Sequence, residues 1–562
     1  MKNTLFTVML IVANLSFAQR QFTPTTGSWN YQNLSVETYG QRVITGFSEI
    51  NPTTGLISPT FKITNLAGTP IAAFHLNFPS DPVYLMDFTI NTTNQTIVLT
   101  GMTAAVSATT PHKLFVAEVS FAGVLIQCNL EYLSSGLNSM IPHQIIHSPT
   151  TNQVVVVGTE VAGLLTATNA FTIPKNGFIL GLNANNFNLI LFTSSMTTPV
   201  SGTNDSDMLE NITEVTGTGY FISGSANNAV NEQNLLTMGI DYAGVTTHST
   251  IHDITNFQFA GSSVLYSAGL NRVYLLCNNS IQHTFQITYF DPITGAILSP
   301  FFQHVITTLP VGTGADVNGF KLQQTQNLQI LVSGYVSTPA GALPTLITPF
   351  QMLFNPPINA LVAGKLYGSG NNSPLAGYYS EVGNSVYINT PDISAYNQAS
   401  GKNYIVNQNT VNGGYDLNIS SISTISACEK AIKANPGSVP TTIVGSANYL
   451  PLPMYPGPYT PSITARSLNQ TVLCAASSLI VANPIITLAP NPANESITIN
   501  SESGIQHIII YDLKGNSVQN LSIVETMREG LKLDVSQLTK GVYIIVVTDN
   551  NGDLIRERFV KE

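Results

Sequence analysis

A repeat of about 55 residues runs through the middle of the chain and constrains its fold more than any other feature. An apolar segment closed by glycine or asparagine recurs as RVITGF, TIVLTGM, VVVVGTE, YFISGSA, VYLLCNN, ILVSGYV and SVYINTP. The glycine or asparagine positions are Gly46, Gly101, Gly158, Gly224, Asn278, Gly334 and Asn389. Successive copies therefore lie 55, 57, 66, 54, 56 and 55 residues apart, and the one long interval is typical of a loop insertion in a regular array.

A second unit, made of a strand, a tight turn and another strand, lies between these copies. It is seen in FKITNLAGTPIAAFHL, LFVAEVSFAGVLIQCNL, LLTMGIDYAGVTTHSTI and FQITYFDPITGAILSPF. The turns NLAG, SFAG, DYAG and DPITG place glycine where a positive φ is needed. A further strand precedes each first unit, as in LMDFTIN and HQIIHSP. Each period therefore holds about four short strands.

Four strands repeated seven times predict an all-β fold, a seven-bladed β-propeller with its blades between residues 32 and 423. One four-stranded sheet cannot bury both faces alone, whereas sheets packed face to face around an axis can. Runs such as VVVVG are typical of strands covered on both faces. The alternative, two or three stacked β-sandwiches, fits the period poorly because a sandwich needs about 100 residues. The repeat matches neither the WD nor the kelch signature, and Trp29 is the single tryptophan.

The composition excludes several classes of protein. The chain is 43% hydrophobic and 9% charged, with a net charge of −10. Disorder needs low hydrophobicity and high charge, and nucleic-acid binding needs a basic surface, so both are excluded. Thr, Asn, Ser, Val, Ile and Tyr, with Gly and Pro between them, are typical of strands and turns.

The N-terminus is predicted to be a cleaved signal peptide, residues 1–18. A basic start at Lys2 precedes an apolar stretch from Leu5 to Phe17, and small residues at Ser16 and Ala18 predict a cut after Ala18. The stretch is too short to span a membrane, and no later window predicts a transmembrane segment. Residues 19–31 are then a lead-in to the first blade.

The four cysteines divide into two pairs with different expectations. Cys428 and Cys474 flank a Pro/Ser-rich segment, 424–487, and a disulfide between them would tie this segment down in an exported protein. The segment itself is a linker or a covering segment with an extended backbone. Cys128 and Cys277 lie in apolar strand-like runs and are expected to be small buried hydrophobic residues. No cysteine and histidine spacing indicates zinc.

The last 75 residues carry more charge than the rest and form a separate predicted domain, 488–562. They resemble the C-terminal sorting domain of the type IX secretion system, which is found on exported proteins of Bacteroidota. The resemblance rests on three ordered blocks, PNPA, IYDLKG and LDVSQLTKGVY, with a final basic strand, ERFVKE. The residues that carry it are Pro490, Asn491, Pro492, Ala493, Tyr511, Asp512, Gly515, Gly541 and Tyr543.

The resemblance implies an export route. It implies recognition by the type IX secretion machinery at the outer membrane after Sec export. It also implies removal by a sortase-like peptidase that cuts before Pro490, then release or attachment to surface lipopolysaccharide. The protein would then be extracellular or on the outer-membrane surface. Six or seven short strands in this length also fit a small Ig-like β-sandwich, in which the Tyr511, Asp512 and Tyr543 side chains form turns or fill the core.

Histidines at a spacing of four occur twice, as His143 with His147 and His248 with His252. In a strand such residues share a face but stand ~13 Å apart, which one metal ion cannot bridge. We therefore expect exposed or hydrogen-bonded histidines rather than a metal site.

Other chemistry in the repeat region is sparse. The segment SGTNDSDMLEN offers Asn204, Asp205, Asp207 and Glu210 as hard oxygen ligands for Ca²⁺, with a solvated loop as the favoured alternative. No other cofactor is predicted. The remaining acidic candidates for a cleft, which turns and strand edges explain equally well, are Asp87, Glu118, Glu214 and Glu381.

The function predicted from these features is a binding or adhesion module with an unknown polysaccharide or protein ligand, held by loops on one face of the ring. One alternative is a glycan-degrading hydrolase or lyase, which needs two carboxylates about 5–10 Å apart at the channel mouth. Another alternative is a structural surface-layer component. No catalytic residue is assigned.

Overall fold

The computed structural model describes most of the chain from residue 18 onward, as two compact units that divide at Ala476 and Ser477. Within 18–562 it leaves out residues 25–29, 52–53, 79–81, 104–111, 134–137, 162–174, 198–206, 228–232, 254–262, 280–283, 307–315, 338–346, 357–359, 368–378, 383–384, 389–393, 410–413, 422–428, 432–433, 440–441, 446–447, 451–454, 459–460, 466–467, 476–486, 501–504, 513–516, 523–530 and 550–553. The predicted signal peptide also lies outside the described residues, up to residue 17, and stays a prediction.

The described part of the first unit is built of antiparallel strands arranged in seven five-stranded sheets. Sheet 1 consists of β2 (Asn30–Tyr39), β3 (Arg42–Ile50), β4 (Ile57–Asn65), β5 (Pro70–Asn77) and β36 (Ser462–Ala465). Sheet 2 consists of β6 (Val83–Asn91), β7 (Thr96–Thr103), β8 (Leu114–Ser120), β9 (Leu125–Leu133) and β35 (Tyr455–Pro458). Sheet 3 consists of β10 (Ser139–Ser148), β11 (Gln153–Val161), β12 (Lys175–Asn183), β13 (Asn186–Thr197) and β34 (Asn448–Leu450).

The same pattern continues through the remaining four sheets. Sheet 4 consists of β14 (Met208–Val215), β15 (Gly219–Asn227), β16 (Gln233–Asp241), β17 (Thr246–Asp253) and β33 (Thr442–Gly445). Sheet 5 consists of β18 (Ser263–Ser267), β19 (Arg272–Asn279), β20 (Thr284–Phe290), β21 (Phe301–Ile306) and β32 (Ala434–Val439). Sheet 6 consists of β22 (Asp316–Gln324), β23 (Ile330–Ser337), β24 (Ile347–Asn355), β25 (Ala360–Tyr367) and β31 (Glu429–Ala431). Sheet 7 consists of β28 (Ser394–Asn397), β29 (Lys402–Asn409), β30 (Gly414–Ser421), β1 (Ala18–Pro24) and β37 (Leu468–Ala475).

The first strands of neighbouring sheets touch in the order β2, β6, β10, β14, β18, β22 and β28, and β28 returns to β2. Buried apolar clusters join neighbouring sheets, for example Phe61 and Phe88 between sheets 1 and 2. The all-β, propeller-like arrangement predicted from the repeat is therefore present. Sheets are stacked face to face because each leaves apolar side chains on both faces.

The run Val154 to Val157 shows how the sequence produces this stacking. Val154 and Val156 belong to the cluster between sheets 2 and 3, while Val155 and Val157 belong to the cluster between sheets 3 and 4. Successive side chains of a strand point to opposite faces, so a continuous apolar run is buried on both sides.

The repeated glycines make room for neighbouring strands. A β-carbon on Gly101 would stand 1.9 Å from the Tyr84 carbonyl oxygen and 2.4 Å from the Phe115 ring. The first strand bulges next to this point, between Leu85 and Asp87, which brings its backbone close. The same glycine and phenylalanine pair recurs across the second and third strands at Gly46–Phe61, Gly158–Phe178 and Gly334–Phe350.

Residues 429–475 form a belt, the name used here for strands β31 to β37. The belt adds the fifth strand to sheets 6, 5, 4, 3, 2 and 1 in turn and then to sheet 7, in reverse of the chain order of the sheets. A linker would leave the fourth strands of the sheets as open edges. The belt instead covers part of each edge, and so corresponds to the covering alternative for the Pro/Ser-rich segment.

The N-terminal lead-in is also part of the sheets. Strand β1 pairs with β30 on one side and with β37 on the other, so residues 18–24 form an interior strand of sheet 7.

The seventh copy of the repeat differs from its prediction. SVYI forms β27 (Ser385–Ile388), which pairs with β26 (Tyr379–Val382) in a separate two-stranded sheet, and Asn389 lies outside the described residues. Residues 368–393 lie between β25 of sheet 6 and β28 of sheet 7 and are an insertion whose sequence resembles the repeat. The second strand of sheet 7 is therefore β29 and not SVYI.

The second unit has two sheets around one core. One sheet contains β38 (Thr487–Ala489), β39 (Ser496–Asn500) and β42 (Leu531–Asp534). The other contains β41 (Ser517–Ser522), β40 (Ile505–Asp512), β43 (Gly541–Asp549) and β44 (Leu554–Lys561). Ile497 and Leu533 of the first sheet share a buried cluster with Ile508, Ile545 and Phe559 of the second.

Candidate functional site

The two ends of the seven sheets carry connections of different length. Antiparallel order places the connections after first and third strands at one end, called here the turn end, and those after second and fourth strands at the other, the loop end. The turn end has connections as short as 40–41 and 184–185, whereas the loop end has 162–174, 254–262 and 307–315. Long connections on a rigid framework are the usual place for binding residues, so the loop end is the first candidate for a binding site.

The loop-end connections carry almost no basic residues, and their acidic residues are Asp81, Asp205, Asp207, Glu232, Glu381 and Asp392. The connections read ITNFQFAGS at 254–262, TTLPVGTGA at 307–315 and TPAGALPTL at 338–346, and Lys113 is the single lysine or arginine on them. The first of these segments consists mainly of hydroxyl, amide and aromatic side chains, and the other two combine threonine with Gly, Ala, Pro and aliphatic residues. Hydroxyl, amide and aromatic side chains bind neutral polar ligands through hydrogen bonds and stacking rather than through ion pairs.

Side chains near the centre of the ring bond the backbone of the next sheet. The Ile145 amide donates to Asp87 Oδ2 at 2.9 Å, and the Ile212 amide donates to Gln144 Oε1 at 2.6 Å. Asp87 is therefore a buried structural acceptor between sheets 2 and 3. The other junctions carry Leu85 N to Ser48 Oγ, Tyr266 N to Thr213 Oγ1, Leu322 N to Ser263 Oγ, Gln323 Nε2 to Ser394 O and Asn397 Nδ2 to Gly40 O.

Glu118 is held as an acceptor at the turn end. Its carboxylate is 1% exposed and accepts hydrogen bonds from the Thr96 hydroxyl, from Asn91 Nδ2 at 3.2 Å and from Gln127 Nε2 at 2.7 Å. The same Gln127 nitrogen donates to the Ala184 carbonyl of sheet 3 at 2.9 Å. The arrangement joins two sheets and satisfies the buried charge, as a buried carboxylate requires.

Glu214 and His147 lie in the same region, in sheets 4 and 3. Glu214 Oε1 accepts hydrogen bonds from Ser148 Oγ at 2.8 Å and from the Tyr242 hydroxyl at 3.0 Å. His147 feels the charges of Glu118 and Glu214, but its burial has the larger effect and lowers its pKa. The structure thus gathers three residues that the sequence had proposed separately into one buried network at the turn end. His147 Nε2 lies 3.3 Å from Asn152 Oδ1 within sheet 3, while neighbouring sheets are joined by the bonds of Gln127 and by the bond from Ser148 to Glu214.

Of the two alternatives expected for the histidines, exposed or hydrogen-bonded, three of the four follow the second and are also buried. His143, His147 and His252 are at most 8% exposed. His143 Nε2 lies 2.8 Å from Thr159 Oγ1, and His252 Nε2 lies 2.8 Å from Thr237 Oγ1. Each strand packs between two sheets, so both of its faces are covered, and a threonine hydroxyl on the next strand provides the hydrogen bond.

Buried histidines should make the protein sensitive to acid. Burial lowers the pKa of His112, His147, His248 and His252, the last to about 4. As pH falls through 6.5, these histidines become protonated in the unfolded chain but stay neutral in the folded one. The free energy of unfolding therefore decreases between pH 6.5 and 4. For His252 the loss is about 3 kcal/mol. Unfolding by urea at pH 7, 5.5 and 4.5 measures it. The free energy of unfolding of H252Q should depend less on pH than that of the wild type. An equal dependence on pH in the two proteins would contradict the lowered pKa of His252.

The calcium prediction is only partly visible. Asp207 and Glu210 are buried at the start of β14, and Asn204 and Asp205 lie outside the described residues. Within the described residues no three His, Cys, Asp or Glu side chains group as metal ligands. A calcium site at 205–210 stays a prediction.

The cysteines follow their two expectations to different extents. Cys128 and Cys277 are buried free thiols, and burial raises the pKa of Cys128 to about 12. Cys474 lies in β37 opposite Gln19 of sheet 7. Cys428 lies outside the described residues, next to β31 of sheet 6, so the Cys428–Cys474 disulfide stays a prediction.

An ion pair crosses the inner side of the ring. Lys321 Nζ of sheet 6 lies 4.0 Å from Glu37 Oε1 of sheet 1, although sheet 7 stands between these sheets. Sheet 7 contributes only the four-residue β28 on its inner edge. The pair joins opposite charges, unlike the two carboxylates that glycoside cleavage needs. Sequence reasoning missed both residues, which are far apart in the chain. Glu381 belongs to β26, outside the seven sheets.

The PNPA motif of the second unit holds the final strand. Asn491 Nδ2 donates to the Arg558 carbonyl at 3.0 Å, and the Val560 amide donates to Asn491 Oδ1 at 3.0 Å. The Ala493 amide donates to the Val560 carbonyl at 2.8 Å, and the Glu562 amide to the Ala493 carbonyl at 2.9 Å. The motif therefore acts as a short partner strand for the end of β44.

Asn491→Ala should loosen this final strand. Both side-chain bonds are lost, at about 1 kcal/mol each. Hydrogen exchange at the Val560 amide measures the loss, because Asn491 Oδ1 is the partner of that amide. Asn491→Asp keeps the acceptor and should lie between wild type and alanine. K540A, at an exposed position, is the control, and equal exchange in N491A and K540A would contradict the prediction.

The other motif residues have mixed placements. The Tyr543 hydroxyl donates to the Thr539 carbonyl at 2.8 Å, and its ring belongs to the core. Tyr511 is half-buried and is not among the residues of that core. Gly541 begins β43. Gly515 and the side chain of Asp512 lie outside the described residues.

The comparison with solved structures finds matches of low similarity. Periplasmic gluconolactonase PpgL of Pseudomonas aeruginosa is 10% identical with a TM-score of 0.36, over 78% of this chain and 99% of that one. The exo-beta-1,3-galactanase 1,3Gal43A of Clostridium thermocellum is 10% identical with a TM-score of 0.30, over 74% and 98%. The β-propeller domain of the Trilobed protease of Pyrococcus furiosus is 11% identical with a TM-score of 0.26, over 58% and 94%. No curated protein matches the chain.

The second unit has a clear relationship. Residues 487–562 match the family described as the secretion system C-terminal sorting domain. Among the described residues, no helix has the length and hydropathy needed to cross a membrane. The chain therefore ends in a type IX secretion sorting domain and is exported to the cell surface or the extracellular space.

Proposed function

We propose that the first unit is a seven-bladed β-propeller that binds a polysaccharide at the loop end and serves as an adhesion module at the cell surface. The observation that carries the proposal is that the longest connections lie at one end of the sheets and that three of them, 254–262, 307–315 and 338–346, contain no charged residue. The carboxylates Asp87, Glu118 and Glu214 accept hydrogen bonds within the sheets. The closed order of contacts among the first strands supports the blade count.

The test is a glycan array with residues 19–562, run beside an activity screen on the same sugars. Binding without turnover is expected. Replacing 254–262 by a glycine and serine segment of equal length should weaken binding, while V245S, exposed at the turn end, should not. Turnover of any glycan would establish the enzyme alternative instead. Self-association without glycan binding would point to the surface-layer alternative.

We further propose that the second unit is an Ig-like sandwich that is removed after export. The bond from the Tyr543 hydroxyl to a backbone carbonyl four residues upstream resembles the tyrosine corner of such folds. A sortase-like peptidase would cut within 476–486, before β38 of the second unit. Mass spectrometry of the mature C-terminus tests this, and a mature protein that still ends at Glu562 would contradict it.

A further inference from the structure

The two sheets of the sorting domain differ in what they present to solvent. In the sheet of β38, β39 and β42, apolar and polar residues alternate: Ile497 and Leu533 point into the core, while Lys532 and Asp534 are exposed. A sheet with one solvated face is expected to alternate in this way. This sheet needs no partner beyond the core.

The two middle strands of the other sheet, β40 and β43, are apolar on both faces. Ile508, Ile510, Tyr543, Ile545 and Val547 point into the core, and the residues between them are also apolar. Ile544 is 38% exposed and Val518 is 41% exposed. The outer patch, as we name this surface, consists of Ile509, Tyr511, Val518, Val542, Ile544 and Val546.

Four members of the outer patch are cross-strand neighbours. Tyr511 lies opposite Ile544, and Ile509 opposite Val546, so the apolar surface is continuous over β40 and β43. Exposed Arg558 lies opposite Ile544 on β44 and gives one border of the patch a positive charge. Continuous apolar strands of this kind are typical of sheets that are covered on both faces in their working state.

We propose that the outer patch is the surface by which the sorting domain binds its receptor in the type IX secretion machinery. The receptor surface that fits is apolar with an acidic border, which would pair with Arg558. An exposed, connected apolar surface marks an interaction site, and a sorting domain must be bound by the machinery that exports it. This proposal is independent of what the first unit binds.

The experiment follows export of the full chain in its native host. I544N places an amide at the centre of the patch, and R558E reverses the charge at its border. K532E, exposed on the opposite sheet, is the matched control. I544N and R558E should lower the amount outside the cell at least about tenfold, and the retained protein should keep its sorting domain. K532E should be exported normally.

Thermal unfolding of each purified full chain separates binding from folding. If I544N lowers the melting temperature, the export of R558E distinguishes binding from folding. Arg558 has an exposed side chain, so its replacement should leave the fold intact. Normal export of R558E together with a folded, exported I544N would overturn the proposal. A change in oligomeric state with normal export would assign the patch to a second copy of the chain and would also overturn it.

Discussion

Gly101→Ala should destabilise the first unit by about 3 kcal/mol or more. The added β-carbon would stand 1.9 Å from the Tyr84 carbonyl oxygen and 2.4 Å from the Phe115 ring, so two strands would have to move. Both neighbours lie in a packed sheet with buried apolar residues on each face, which leaves little room for adjustment. Thermal unfolding followed by circular dichroism measures the effect.

Gly40→Ala is the matched control. Gly40 has a φ of +56°, and a β-carbon added there would have no heavy atom within 4 Å, so alanine strains only the backbone, at about 1 kcal/mol. Equal loss of stability in the two variants would mean that the repeated glycines are needed for their backbone freedom. A larger loss for Gly101→Ala would show that they are needed for space.

Deleting the belt, residues 429–475, should abolish the soluble monomer. The deletion opens the outer edge of all seven sheets and removes the partner of β1 on its outer side. At about 1 kcal/mol for each lost hydrogen bond, the loss is on the order of 10 kcal/mol. Open edges also pair between molecules, so aggregation should follow. Size-exclusion chromatography with light scattering measures the outcome.

Deleting β26 and β27, residues 379–388, provides the comparison for the belt. These strands pair only with each other in the described structure and belong to none of the seven sheets. This second deletion should leave a monomer. A monomer with normal melting after deletion of the belt would contradict the covering role.

The repeat could be predicted because its signal is local. Gly101, Gly158 and Gly334 each lie in a second strand, beside a bulged first strand and opposite a phenylalanine, so one steric requirement recurs in the sequence. The same rule failed at Asn389, because SVYINTP has the required pattern but lies in an insertion. In sheet 5 the position is Asn278, whose side chain bonds the Gly319 backbone instead.

The belt and the buried network could not be predicted in this way. Most belt strands have three or four residues and are too short to show a period. Several pair with strands that lie hundreds of residues away in the chain. Glu118, His147 and Glu214 come from three sheets. Only the stacking of those sheets brings the residues together, and the sequence around each one is that of an ordinary strand.

The reverse path of the belt decides how the molecule yields to a pull on its C-terminal end. Such a pull would load β37 first, then β36 and β35. Each belt strand pairs with a different sheet, so each would detach separately. The four inner strands of every sheet would carry no tension until β31, the belt strand of sheet 6, had detached. A translocating machine that pulls on the chain would thus detach the belt strands one at a time, at low force, before any force reached the packed sheets.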